Sequence, residues 1–235
     1  MYSLPQKLFA EFIGAFAFVY ISAGSICADQ YLAATGQGGV GLLGIAVASG
    51  LAFGIMVTAL GHVSGGHFNP AITIGFWVTR RLGTLHTISY WIAQLLGATA
   101  AAYLIKLTIP DTTWTAKALG SITPDLGGDF TRAHGIAIEA VMTFLLVFVF
   151  FATVADAKGA FNKIAGFAVG LAITMDTLFG GPFTGAAMNP ARAFGPALAT
   201  THWQNHGVYW AGPLLGGVIA GVLYDRMFLR DQPPA

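Results

Sequence analysis

The sequence predicts an all-α membrane protein: six transmembrane helices plus two re-entrant half-helices, arranged as an inverted repeat. Three observations predict it. The composition is too apolar for water, six apolar stretches reach spanning length, and the two halves of the chain repeat each other. Of 235 residues, 55% are hydrophobic and 9% charged, against about 25% charged in soluble proteins. Mean hydropathy is +0.69. The 31 glycines fit the same medium, because glycine lets helix backbones approach closely within a bilayer. A formal net charge of +1 excludes a nucleic-acid partner, since that binding needs clustered Lys and Arg. The one cysteine, Cys27, excludes an intrachain disulfide and a Cys-based metal cluster, and reads as a small buried hydrophobe.

A bilayer core about 30 Å thick needs about 20 mostly apolar residues per helix. Residues 8–27, 40–60, 87–107, 135–155, 164–180 and 208–228 meet that requirement. The first of them, within "KLFAEFIGAFAFVYISAGSIC", is too long for a signal peptide and lacks a cleavage site, so it reads as a span. Two shorter apolar pieces, 71–79 and 191–200, follow the second and fifth spans at about half the crossing length. The stretch 108–132 reads as a surface loop. Lys and Arg set the orientation. With both termini cytoplasmic, the inside receives Lys7, Arg80, Arg81, Lys158, Lys163, Arg226 and Arg230. The outside receives Lys106, Lys117 and Arg132, and Arg192 is left unassigned. The short tails and loops read as a cell (inner) membrane protein.

The repeat covers about 8–108 and 135–229 within one domain, 1–235. "AEFIGAFAFVY" from Ala10 answers "IEAVMTFLLVF" from Ile138, which sets Glu11 against Glu139. "SGGHFNPAITIGF" from Ser64 answers "TGAAMNPARAFGP" from Thr184 at an offset of 120, and "YWIAQLLGA" from Tyr90 answers "YWAGPLLGG" from Tyr209 at 119. Each half carries three spans. Three is odd, so the second half enters the membrane in the opposite sense, a plan that places a site or path at the midplane between the halves.

Asn is a strong N-cap and Pro suits the first helical position, where its missing N–H costs nothing. Asn69-Pro70-Ala71 and Asn189-Pro190-Ala191 therefore each read as a helix start. Small-residue stretches precede both, and irregular backbone at membrane depth is tolerated only inside protein or along a watery cavity. The repeat brings the two half-helices in from opposite faces, N-terminus to N-terminus. Each such end carries roughly half a positive charge. The junction would repel cations and offer two Asn donors to a neutral molecule. One isolated motif is an ordinary helix start; two at matched repeat positions are not.

The paired motifs, the Glu11/Glu139 pair and the Tyr-Trp blocks resemble the aquaporins, the major intrinsic protein family, over nearly the whole chain. The Tyr-Trp blocks look most like those of plant vacuolar-type members. The resemblance implies one pore per subunit, a homotetramer in the lipid bilayer, and water with small neutral solutes as partners. It implies that Glu11 and Glu139 accept hydrogen bonds from the re-entrant backbones. It also implies that the carbonyls of Gly65, Gly66, His67, Phe68, Gly185, Ala186, Ala187 and Met188 face the pore. His62 and His67, beside Ser64-Gly65-Gly66, read as loop braces rather than metal ligands, since no acidic residue or Cys stands next to them. No nucleophile–base pairing, phosphate loop or metal spacing appears elsewhere, so no enzyme and no cofactor is expected.

Members of this family narrow near the outer mouth at four positions, which here are Arg192, Ala186, Thr177 (twelve before Asn189) and Ser49 (twenty before Asn69). The strict water-channel pattern has Phe and His where this chain has Ser49 and Thr177. Both are small and hydroxylated, which implies a wider polar opening. Phe53 follows one turn along the same face as Ser49, about 6 Å further by helix rise, and could partly narrow the path; an alignment shift would instead put Phe53 itself at the constriction. The markers of polyol channels, an acid after the arginine and a base four later, are absent: Ala193 and Ala197 stand there. Asp176 could face a neighbouring helix or the outer vestibule. The expected function is passive conduction of water and small neutral solutes: glycerol, urea, ammonia, hydrogen peroxide or undissociated metalloid acids. The rival is a proton-coupled secondary transporter that uses Glu11 or Glu139.

Overall fold

The structure, a computed structural model, describes residues 2–116, 129–158 and 164–229. Lys117, Lys163 and Arg230 of the charge count lie outside them. Among the described residues, six helices are long and apolar enough to cross a membrane. They are α1 (Leu4–Ala34), α2 (Gly41–Ser64), α4 (Thr84–Thr108), α6 (Arg132–Phe150, extended by a π-turn over Phe151–Ala155), α7 (Ala165–Thr184) and α9 (Val208–Tyr224, extended by a π-turn over Asp225–Leu229). The half-helices α3 (Pro70–Val78) and α8 (Pro190–Thr200) follow α2 and α7, and a short α5 (Asp111–Ala116) follows α4.

Local chemistry explains the boundaries. The Gln6 side chain accepts from the Ser3 N–H at 2.8 Å, and Pro5 sits in the first turn of α1. At its other end α1 runs seven residues past the apolar stretch, to Ala34. The added residues include Ala, Gln and Leu, good helix formers that need no bilayer. Both α2 and α7 stop at glycines held left-handed, Gly65 (φ 96°) and Gly185 (φ 78°), the usual C-terminal device of a helix. Part of the loop expected over 108–132 is helical, because Asp111 opens α5 and its carboxylate accepts from the Trp114 indole at 3.0 Å.

Packing joins the halves crosswise. Within each half, α1 lies along α2 and α4, and α6 along α7 and α9. The half-helices go to the opposite partner: α3 packs on α9 and α8 on α4. Small residues permit it. A Cβ on Gly217 of α9 would lie 2.2 Å from the Ala71 carbonyl oxygen, and one on Gly195 of α8 would lie 2.3 Å from that of Ala98. Helices α2 and α7 cross in the same manner, with Gly50 and Gly54 against the backbone of Gly170 and Gly166. Large apolar side chains such as Phe9, Leu51, Ile55, Phe167 and Leu171 point outward, which suits lipid and not water.

Candidate functional site

The two Asn-Pro-Ala turns meet inside the bundle. Asn69 and Asn189 cap their half-helices with their side-chain oxygens, which accept from the N–H of Ala71 (2.7 Å) and of Ala191 (2.9 Å). Their amide nitrogens reach across the repeat. Asn69 Nδ2 donates to the Met188 carbonyl at 2.9 Å, and Asn189 Nδ2 donates to the Phe68 carbonyl at 3.0 Å. Pro70, Ala71, Pro190 and Ala191 are buried behind them. Two helix N-termini thus face each other with their positive ends inward.

The approach to each turn is strained in the same way in both halves. Phe68 (φ 48°) answers Met188 (φ 50°), and Gly66 (φ 71°) answers Ala186 (φ 51°). Such a conformation costs a non-glycine residue on the order of 1–3 kcal/mol and persists only where surroundings over-determine it. The surroundings are two fully buried carboxylates. Glu11 accepts from the N–H of His67 (3.0 Å) and Phe68 (2.7 Å) and from the Ser64 hydroxyl (2.6 Å). Glu139 accepts from the N–H of Ala187 (3.0 Å) and Met188 (2.7 Å) and from the Thr184 hydroxyl (2.7 Å). Each such bond to a charged group contributes about 1.5–3 kcal/mol. Tyr90 and Tyr209 complete the pattern by donating to the carbonyls of Ser64 and Thr184 at 2.8 and 2.7 Å.

Some of these groups escaped the sequence reading. Gln94 adds a fourth donor to Glu11 at 2.7 Å and also donates to Thr73 at 3.0 Å. Its repeat counterpart is Pro213, which has no donor, so this break in the Tyr-Trp blocks was the available signal. The tyrosine hydroxyls were carried in the same blocks.

The brace expected of His62 is corrected. His62 is exposed, and its ring packs edge-on to Tyr2 at 5.8 Å. His67 is buried, with Nδ1 3.2 Å from the Thr73 hydroxyl and its ring against Phe76 at 4.5 Å. The end of α2 decides between them: His62 lies within its last turn and is exposed, whereas His67 lies in the re-entrant stretch. Of the eight carbonyls assigned to the path, those of Phe68 and Met188 accept from the opposite asparagines. Those of Gly65, Gly66, His67, Gly185, Ala186 and Ala187 accept no hydrogen bond among the described residues.

Ser49, Thr177, Ala186 and Arg192 are all almost fully buried, at 4–7% exposure. Ser49 lies on α2 and Thr177 on α7, the two helices that meet at the glycine crossing. The Ser49 hydroxyl donates to the Ile45 carbonyl of its own helix at 2.8 Å, which leaves its oxygen free to accept. Arg192 lies in the first turn of α8, its N–H donating to Asn189. Asp176, left open between two positions, is buried at 2% exposure, and its Oδ2 has no hydrogen-bond partner among the described residues.

Half-helices embedded in opposite halves, with their turns bonded to each other, define a membrane channel built around a fixed central junction. The chain belongs to the major intrinsic protein family, which it matches over residues 2–224, and it is a passive membrane channel. It is 44% identical over 230 residues to aquaporin TIP4-4 of Zea mays, covering 96% of this chain and 88% of that protein. To aquaporin TIP2-1 of Arabidopsis thaliana it is 42% identical over 232 residues, with 95% and 87% covered. Its fold is similar to the X-ray structure of the aquaglyceroporin from Plasmodium falciparum, with a TM-score of 0.82, 19% identity, and 97% and 98% of the two chains covered.

Proposed function

We propose that the channel passes water together with small neutral solutes, among them glycerol, urea, ammonia, hydrogen peroxide and undissociated metalloid acids. The constriction assigned to the path is Ser49, Thr177, Ala186 and Arg192, a wide polar opening. The observation that carries this reading is the pair of small, almost fully buried hydroxyl side chains, Ser49 and Thr177, on two helices that touch backbone to backbone. A permeant there meets acceptor oxygens on one wall and the Arg192 guanidinium on another. Positive charge at that point and at the paired half-helix ends repels protons and cations. Asn69 and Asn189 orient the permeant at the centre, and the unbonded re-entrant carbonyls accept from it in sequence.

The same reading gives the subunit a place in a homotetramer in a cell membrane, with both termini cytoplasmic, and no catalytic role. The relatives' name, aquaporin, supports water as a permeant here.

The test is stopped-flow osmotic shrinkage of proteoliposomes, with each solute in turn as osmolyte. Water permeability no higher than that of empty liposomes would sink the reading. Ser49→Phe combined with Thr177→His is expected to cut glycerol and urea flux while sparing water. Unchanged solute flux in that variant would mean that the constriction lies elsewhere.

A further inference from the structure

The space at the meeting of the two asparagines is closely lined by side chains of the spans. Asn69 and Asn189 share there a void of about 160 Å³ with Ala187, Met188 and four apolar residues of the spans, Phe18, Phe53, Leu146 and Ile173. The void is narrow as the side chains stand. The four apolar residues are two repeat pairs. Phe18 of α1 answers Leu146 of α6 at the offset that relates Glu11 to Glu139, and Phe53 of α2 answers Ile173 of α7 at the offset of 120 that relates the asparagines. They form a collar at one level of the channel, aromatic on the first-half side and aliphatic on the second.

The aromatic side is held firmly. The Phe18 and Phe53 rings meet edge to face at 5.0 Å and 89°, and Phe53 meets Phe68 at 5.8 Å and 67°. Both Phe18 and Phe53 are buried, Phe53 with no exposure at all. Such ring pairs contribute about 0.5–1.5 kcal/mol beyond their burial, so the rings do not swing aside freely for a passing solute. Beyond the collar, one turn further along α2, Val57 lines a cavity of about 280 Å³ with Thr58, His62 and Thr153. Bulk withheld at Ser49 is therefore present one turn deeper, at Phe53.

We propose that the upper size limit for solutes is set by this mid-channel collar, chiefly by Phe53 against Phe18, and not by the outer constriction. The inference rests on the reading of Ser49 and Thr177 as a wide opening. It assigns the outer residues a chemical selection, by hydrogen bonding and charge, and the collar a steric one. A slender solute slides past the ring edges, and a branched or four-carbon polyol does not.

The experiment compares the unmodified protein with Phe53→Ala, Phe53→Leu and Ser49→Ala in proteoliposomes. Permeability to urea, glycerol and the four-carbon polyol erythritol is measured relative to water. Phe53→Ala is expected to raise the erythritol-to-water ratio by tenfold or more. Phe53→Leu, which keeps an apolar filler like Leu146 opposite, should give a smaller rise, and Ser49→Ala, which alters only the outer chemical selection, a change well below that of Phe53→Ala. A rise in Ser49→Ala with none in either Phe53 variant overturns the collar and leaves the channel reading standing. No water flux above empty liposomes in any of the four proteins overturns the channel reading, and the collar with it.

Discussion

Glu11 collects four hydrogen bonds and Glu139 collects three through equivalent atoms, and every one of those donors sits in a re-entrant turn or beside it. Burying a carboxylate is tolerable only when it is paired or fully hydrogen-bonded, so these acids belong to the loops' architecture. Glu11→Gln replaces one acceptor oxygen with an NH2 group that faces N–H donors. With two donors left unpaired at about 1–3 kcal/mol each, the loss is about 2–6 kcal/mol. Thermal unfolding in detergent checks it: the variant should melt earlier at every pH. A normally stable Glu11→Gln that merely lost pH-dependent uptake would favour the transporter reading. At this scale the sequence showed which residues are paired but not how they are used. The Glu11/Glu139 and Asn69/Asn189 pairs stand out because the repeat doubles them. Gln94 does not, since its counterpart is Pro213. His62 and His67 were indistinguishable because both flank the same glycines, and only the end of α2 at Ser64 separates an exposed ring from a buried one.

Helix positions were legible because bilayer thickness fixes their length and apolar runs mark them. The six spans and two half-helices fall where hydropathy puts them, while their ends follow capping chemistry that hydropathy does not register. The extension of α1 to Ala34, the short α5 and the two π-turns are of that kind. Contact faces were hidden for a different reason. The helices are apolar nearly all round, so periodicity does not say which side meets protein and which meets lipid. Glycine placement carries that information instead. Gly50 and Gly54 on α2 are one turn apart and meet Gly170 and Gly166 on α7, where an added Cβ would lie within 2.4 Å of a carbonyl oxygen. Gly54→Val must push the backbones apart. Overpacking of this sort costs about 1–3 kcal/mol, and here it also moves Ser49 and Phe53 relative to Thr177 and Ile173. The expected outcome is a lower melting temperature in detergent together with altered solute-to-water permeability ratios. By contrast, Leu51→Val on the exposed face of the same helix should leave both unchanged. Equal effects from the two substitutions would place the α2–α7 contact elsewhere.

The whole molecule is locked across its own repeat. Alternating access in inverted-repeat transporters comes from rocking one repeat against the other around a central site. Here the first half-helix is packed on α9, the second on α4, and the two turns exchange asparagine-to-carbonyl bonds at 2.9 and 3.0 Å. A rocking motion would break both buried bonds and leave four polar groups unpaired, at about 1–3 kcal/mol each. It would also pull Gly217 off the Ala71 carbonyl and Gly195 off that of Ala98. A further tie holds the first half-helix region to the end of the chain's last span, where the Arg81 side chain donates to Asp225 at 2.7 Å and to the Leu229 carbonyl at 3.3 Å. A molecule braced in this way resists the rocking that a proton would have to drive. Conduction should then follow the solute gradient alone, with glycerol flux linear in concentration, equal in the two directions and indifferent to an imposed pH difference. Tracer influx and efflux in proteoliposomes, with and without a pH gradient, measure all three properties. Saturation of the flux, or accumulation of glycerol against its gradient when protons flow inward, would mean that the halves move and that the crosswise packing yields during transport.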